Sequence, residues 1–210
     1  MKRYFIVGTD TDCGKTYVTC QLIDYFKQNN ARVRAIKPVA SGCIDGISDD
    51  VQRLDKHQGI SLNEPLFWRL KRPISPHLAA AEEGVLLTAE RIAHACALCE
   101  LDTLDYLLIE GAGGLMVPFN QEETWLDFLQ LTGIPVLLVV GMRLGCINHA
   151  RLTDFVLKAH HIECAGWIAN CLDPMMDALD DNIQTIADTL SVPHIATVPY
   201  RGILETCKIF

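Results

Sequence analysis

Short apolar runs alternate along this chain with longer stretches whose apolar residues recur at helical spacing. Residues 4–7 are apolar throughout and stop at Gly8. Residues 33–36, 106–109, 136–140, 165–169 and 195–198 are further short runs, ended by Lys37, Glu110, Gly141, Asn170 and Pro199. A run apolar on both faces reads as a strand covered from both sides, as in a parallel sheet. Between these runs, residues 16–29 carry Val18, Leu22 and Phe26 at a spacing of four, which predicts a helix with one buried face. Residues 89–101, 125–132, 148–160 and 177–190 read as helices in the same way. Residues 41–83 are less regular. Gly42, Gly46, Gly59, Pro65, Pro73 and Pro76 predict loops and short helices over the carboxyl edge of the sheet. Strands alternating with helices specify an α/β fold, a doubly wound and mostly parallel sheet with helices on both faces. A chain of 210 residues forms one such domain, 1–210.

The polar residues that break this pattern fall at strand ends. Gly8 to Thr16 read Gly-Thr-Asp-Thr-Asp-Cys-Gly-Lys-Thr between the first strand and the first helix, a phosphate-binding loop of the P-loop NTPase type. Its glycines let backbone N–H groups turn inward on a polyphosphate, Lys15 reaches the β- and γ-phosphates, and the Thr16 hydroxyl suits Mg²⁺. The helix that follows sets its positive end under the anion. Five residues, Thr9 to Cys13, separate Gly8 from Gly14-Lys15 where the common pattern has four, so the loop is a variant. Lys37, Glu110 and Asn170 each follow a strand directly, and the carboxyl edge of a doubly wound sheet is where ligands bind.

Glu110 precedes Gly111-Ala112-Gly113-Gly114, so an acid suited to Mg²⁺ stands before a segment that lets backbone approach a ligand closely. Asp49 and Asp50 are candidates for a second metal oxygen, and either also suits a solvated turn. Lys37, next to Pro38, is placed to neutralise charge on a transferring phosphoryl group; Ser41 follows and can hydrogen-bond a small substrate. Gly145-Cys146-Ile147-Asn148 opens a helix with Asn148 as the expected N-cap, an ordinary cap that also suits a carboxylate. Asn170-Cys171-Leu172-Asp173 lacks the lysine of the guanine-reading Asn-Lys-x-Asp signature, which points to ATP.

Composition narrows the class. Half the residues are hydrophobic, the mean hydropathy is +0.18 and the net charge is −8, which fits a compact core and disfavours nonspecific nucleic-acid binding. No apolar run approaches a membrane span, and the four apolar residues after Arg3 are too few for a secretory signal; the expected location is the cytoplasm. The nine cysteines are scattered through apolar segments and read as reduced thiols. Cys96 and Cys99 form a Cys-x-x-Cys pair in a helical stretch with no second pair, so packing explains them better than redox or metal chemistry.

The chain resembles the dethiobiotin synthetases, ATP-dependent enzymes of biotin synthesis. The resemblance runs from Tyr4 to about Tyr200 and rests on the loop ending at Thr16, Lys37-Pro-Val-Ala-Ser-Gly42, Ser75-Pro-His77, Glu110-Gly-Ala-Gly-Gly114, Leu144-Gly-Cys-Ile-Asn-His-Ala150 and Gly166-Trp-Ile-Ala-Asn170. The five-residue loop spacing is also that family's. The resemblance implies closure of a cyclic urea on 7,8-diaminononanoate (7,8-diaminopelargonate) from CO₂ and MgATP, by way of a carbamate and a carbamic–phosphoric mixed anhydride. It implies Lys15 and Lys37 as catalytic residues and Thr16, Asp50 and Glu110 as Mg²⁺ ligands. Asp12, Cys13, Gly14, Lys15, Thr16 and Tyr17 would wrap the phosphates, Glu110, Gly111, Ala112 and Gly113 would line the nucleotide–substrate junction, and Asn170 would read adenine beside Pro199, Tyr200 and Arg201. Ser41 would touch the diamine or its carbamate. The family pattern implies a homodimer in which Cys146, Ile147 and Asn148 hold the substrate carboxylate of the partner's site.

Rival classes fit less well. Partitioning and metal-delivery switch ATPases carry an extra lysine early in the loop, and Asp10 to Gly14 contain none. An amidotransferase-linked synthetase needs a glutaminase domain for which 210 residues leave no room. A pure binding module needs neither Lys37 nor Glu110 at one crevice.

Overall fold

The computed structural model describes residues 1–59, 67–99 and 103–209. The predicted loop position Pro65 and the end of the predicted helix 89–101 lie outside the described residues.

The main sheet has six strands, all paired in parallel, in the order β2-β5-β1-β6-β7-β8. They are β1 (Lys2–Gly8), β2 (Val33–Ile36), β5 (Tyr106–Gly114), β6 (Val136–Met142), β7 (Cys164–Cys171) and β8 (His194–Val198). From β1 the chain winds to one side through β2 and β5, then to the other through β6, β7 and β8. The helices α1 (Lys15–Gln28), α2 (Asp49–Gln58), α4 (Ala89–Ala97), α5 (Trp125–Thr132), α6 (Cys146–Ala159) and α7 (Leu179–Thr189) cover both faces.

The alternation of β1 splits the core in two. Tyr4 and Ile6 join the cluster under α1, with Val18, Leu22 and Phe26 as their spacing predicts. Phe5 and Val7 join the opposite cluster, where Phe5 stands 4.9 Å from the Trp125 ring and 5.3 Å from Phe128 of α5. Both clusters are apolar because each strand is covered twice, which is why the strand segments read as continuous hydrophobic runs. Cys96 and Cys99 are buried among apolar residues of the second cluster, so the packing reading holds for them.

The structure corrects several boundaries. β5 continues through Glu110 to Gly114 and β7 reaches Cys171, so Glu110 and Asn170 lie inside strands rather than just after them. Parallel partners extend the ladders past the apolar run, as Ile6 opposite Glu110 and Gly141 opposite Asn170 show. Asn148 is not the N-cap of α6. Gly145 is, at φ 94°, and the Cys146 N–H donates to the Arg143 carbonyl at 3.0 Å, so the turn closes before Asn148 is reached. α7 begins at Leu179, two residues later than expected from 177–190.

In the irregular segment, α3 (Pro76–Glu82) and α2 are the short helices expected. A second, two-stranded parallel sheet of β3 (Val39–Ser41) and β4 (Trp68–Leu70) was not expected, because three-residue strands carry no readable period. Its last β3 residue, Ser41, lines the same cleft as Lys37, and no described helix is long and apolar enough to cross a membrane.

Candidate functional site

The loop between β1 and α1 is fixed by its neighbours. The Thr9 N–H donates to the Val139 carbonyl on β6 at 3.0 Å, and the buried Asn170 side chain donates from Nδ2 to the Cys13 carbonyl at 2.9 Å. Asp12 and Gly14 both have positive φ, at 56° and 86°. A Cβ on Gly14 would stand 2.0 Å from Asn170 Nδ2, so glycine is required there twice over. No side chain caps α1, which leaves its first-turn amides to an anion. Lys15 is 7% exposed; its Nζ donates to the Asp10 carbonyl at 3.1 Å and lies 4.0 Å from Cys13 Sγ.

Beside the loop, three chain segments meet at one lysine. Lys37 Nζ contacts Glu110 Oε1 at 2.8 Å and Asp50 Oδ2 at 2.5 Å, and Thr16 Oγ1 donates to the same Glu110 oxygen at 2.5 Å. Burial works against the Lys37 charge, but Glu110 and then Asp50 outweigh it and the ammonium is pushed above the usual lysine value. Burial likewise opposes the Asp50 charge, and Lys37 outweighs it, so the carboxyl is held below its ordinary range. Glu110 is fully buried, and its second oxygen, Oε2, has no hydrogen-bond partner among the described residues. A buried carboxylate oxygen left unpaired is costly. The oxygen-only set Thr16, Asp50 and Glu110, with that spare atom, suits Mg²⁺, which takes few protein ligands and keeps waters.

A cleft of about 570 Å³ opens from this centre, walled by Lys37 and Asp50, by Thr11 and Asp12 of the loop, by Ser41 and by Pro73 to Pro76. Ala112, Gly113 and Val117 close it. Gly113 has φ 66°, and a Cβ there would meet Val117 Cγ2 at 2.6 Å. Ser41 Oγ is buried with no hydrogen-bond partner among the described residues. The cleft therefore offers one cation, two carboxylates and an unused hydroxyl next to the phosphate loop.

The expected base-side residues form a separate group. Tyr17 OH donates to the Gly202 carbonyl at 2.6 Å, tying α1 to the turn after β8. That turn holds Pro199, Tyr200 and Arg201, with the Gly202 N–H donating to the Pro199 carbonyl at 2.9 Å and the Arg201 guanidinium 5.2 Å from the Tyr200 ring centre. Asn170 is nearly buried and already uses Nδ2 on the loop.

Cys146, Ile147 and Asn148 are not brought to the Lys37 cleft. Ile147 and Asn148 line a groove of about 700 Å³ along α6, with Leu144, Phe155 and Arg151. Cys146 departs from the expectation: its thiol is buried, 3.9 Å from Asn182 Oδ1, and its amide is spent on Arg143. A larger groove, about 940 Å³, lies between α4 and α5 and includes none of the predicted residues.

Three contributors were missed from sequence. Asp10 accepts the Thr11 N–H at 2.7 Å and the Arg143 guanidinium at 2.5 Å. Arg69 donates from Nη1 to the Lys37 carbonyl at 2.9 Å, which steadies the residue before Pro38. Ser75 lines the cleft. Ser75 and Asp10 had a signal, their places in Ser75-Pro-His77 and in the loop from Gly8 to Thr16; Arg69 acts through a contact that no spacing announces.

The chain is similar to known proteins over most of its length. A protein-family profile described as an AAA domain matches residues 2–207. The ATP-dependent dethiobiotin synthetase BioD of Legionella pneumophila (strain Paris) is 51% identical over 206 residues, spanning 96% of this chain and 95% of the relative. The enzyme of the same name from Nitrosospira multiformis is 41% identical over 201 residues, spanning 95% and 88%. Among solved structures, chloroplast FtsY from Physcomitrella patens superposes with a TM-score of 0.59 at 21% identity, covering 99% of this chain and 62% of that one. The MinC:MinD cell division complex of Aquifex aeolicus also gives 0.59, at 15% identity, over 95% and 81%. Likeness at such identity speaks for the P-loop fold alone.

Proposed function

This chain belongs to the ATP-dependent dethiobiotin synthetase family, and on that premise we propose how its residues share the work. The reaction is the ATP-dependent carboxylation and ring closure of 7,8-diaminononanoate with CO₂, giving dethiobiotin, ADP and phosphate. One amine takes up CO₂ as a carbamate, a carbamate oxygen attacks the γ-phosphorus, and the second amine attacks the resulting mixed anhydride and expels phosphate. The observation that carries the assignment to this site is the convergence of Thr16, Lys37, Asp50 and Glu110 beside the loop.

Phosphoryl transfer is chiefly positioning and charge stabilisation. The loop amides and Lys15 hold the triphosphate, with the Lys15 ammonium set beside the Asp10 carbonyl within the loop. Lys37, a fixed cation between the loop and the cleft, stabilises charge on the carbamate and the transferring phosphoryl group. Thr16, Asp50 and Glu110 would hold Mg²⁺, which would supply positive charge to offset that of the phosphate oxygens. Ser41 hydrogen-bonds the diamine or its carbamate in the cleft, alongside Gly111 to Gly113. Asn170 and the turn at Pro199, Tyr200 and Arg201 receive the adenine.

We also propose a homodimer in which Ile147 and Asn148 bind the carboxylate of a substrate seated in the partner's cleft. The support is an apolar surface around that helix start: Leu144 is 99% exposed, Phe155 69% and Leu152 56%.

The deciding experiment measures ATP-dependent phosphate release with Mg²⁺ and bicarbonate, with and without 7,8-diaminononanoate, and weighs the product. Release that needs the diamine, with a product heavier by one carbonyl less two hydrogens, is expected. Hydrolysis indifferent to the diamine would reassign the chain to the switch ATPases.

A further inference from the structure

Ser75 stands at the N-cap of α3, where a serine hydroxyl ordinarily accepts a backbone N–H of the first turn. Here it makes no such cap. Its Oγ lies instead 2.9 Å from His77 Nδ1, and Ser75 lines the cleft that holds Lys37, Ser41 and Asp12. A hydroxyl diverted from capping and pointed at an imidazole, on the wall of a substrate cleft, has the form of a proton relay.

The chemistry needs one. A vicinal alkyl diamine holds about one proton near neutrality, because charge on one amine lowers the proton affinity of its neighbour, and only a neutral amine attacks CO₂ or the mixed anhydride, so that remaining proton has to leave. Lys37 cannot take the proton, being a cation held between Glu110 and Asp50. Asp50 is committed to Lys37. None of the residues lining the cleft is a histidine, and imidazole is the side chain suited to exchanging protons near neutrality.

We infer that Ser75 and His77 form the proton acceptor for the substrate ammonium, a role that rests on the diamine being seated in this cleft. An N–H proton of the ammonium passes to Ser75 Oγ as the Ser75 proton passes to His77 Nδ1. The nitrogen keeps its electron pair, and the imidazolium then releases the proton to water. Around α3 the charged groups include Arg69 on β4, Arg72, which pairs with Glu82, and Glu83 just past its far end, while Lys37, Asp50 and Asp12 line the same cleft as Ser75; β3 carries none.

The test compares Ser75→Ala, His77→Gln and the double variant with the parent, measuring kcat and KM for the diamine from pH 6 to 9. ATP affinity serves as the folding control. Each single variant is expected to lose about 100-fold in kcat/KM at pH 7. The loss should shrink toward pH 9, where free amine is abundant, and the double variant should be no worse than either single one because the pair acts as a unit. Losses under twofold, losses equal at every pH, or losses that multiply in the double variant would overturn the relay. If His77→Gln does not fold, Ser75→Ala carries the comparison, since it removes only a hydroxyl. Val117→Trp, which fills the cleft, separates the two claims. If it raises the diamine KM while the Ser75 and His77 variants keep the parental pH profile, only the relay falls; if it leaves the diamine KM unchanged, the seat itself is wrong and the relay falls with it.

Discussion

Lys37 Nζ sits 2.8 Å from Glu110 Oε1, joining a residue after β2 to one inside β5, and Glu110 has no exposed surface at all. The two side chains are one unit. Each makes the burial of the other tolerable, and Glu110 faces the phosphate loop through Thr16.

Lys37→Ala therefore does two things. It leaves a buried carboxylate uncompensated, which costs about 3–5 kcal/mol of stability. It also removes charge where charge develops at phosphorus, lowering kcat by about 10²–10³-fold. Thermal unfolding with and without MgATP, next to product formation, checks both. Full turnover by the variant would remove Lys37 from the mechanism.

Gly14→Ala should abolish nucleotide binding. Its φ of 86° disfavours any Cβ, and that Cβ would stand 2.0 Å from Asn170 Nδ2, so the loop must leave its tie to β7. Titration with ATP, at protein concentrations where the parent saturates, reads the loss directly.

Stability should be flat in pH from about 4 to about 10 as far as this cluster is concerned. Asp50 is held low, so its contribution is present above the ordinary carboxylate value and is lost as pH falls through the lowered one. Lys37 is held high, so its contribution is present below the ordinary lysine value and is lost as pH rises through the raised one. Unfolding midpoints across pH, for the parent and Asp50→Asn, test this; the variant should show a shallower acid limb. A parent that weakens between pH 7 and 5 while Asp50→Asn does not would contradict the assignment.

Asn148→Ala should raise the diamine KM and leave ATP affinity unchanged, because Asn148 lines the α6 groove and not the phosphate loop. Leu144→Asp combined with Phe155→Asp should give monomers in sedimentation, with the same loss of diamine binding. A change in ATP affinity alone would count against the shared-site arrangement.

Tyr17→Phe should weaken ATP binding a few-fold and cost about 1 kcal/mol in stability. The lost bond to the Gly202 carbonyl is what fastens the turn of Pro199 to Arg201 over α1. Calorimetric titration gives the first number and denaturant unfolding the second.

The sequence by itself determined the architecture. Buried parallel strands must be apolar on both faces, and a helix packed on them must repeat its apolar residues, so both write their period into the chain. The loop from Gly8 to Thr16 was equally legible, since cradling a phosphate demands particular residues at particular spacings. Lys37 and Glu110 could be nominated from their places at the ends of apolar runs. Their pairing could not, because 73 residues separate them and only the β2–β5–β1 neighbourhood brings them together. The same holds for Arg69 on the Lys37 carbonyl, for Arg143 on Asp10, and for the Asn170 amide that holds the loop. Asn148 was misjudged as a cap because a cap depends on backbone angles, and Gly145 had already taken the left-handed turn. Local periodicity and motif chemistry are properties of neighbouring residues; which side chain meets which across the carboxyl edge is set by strand order, and strand order exists only once the chain has folded.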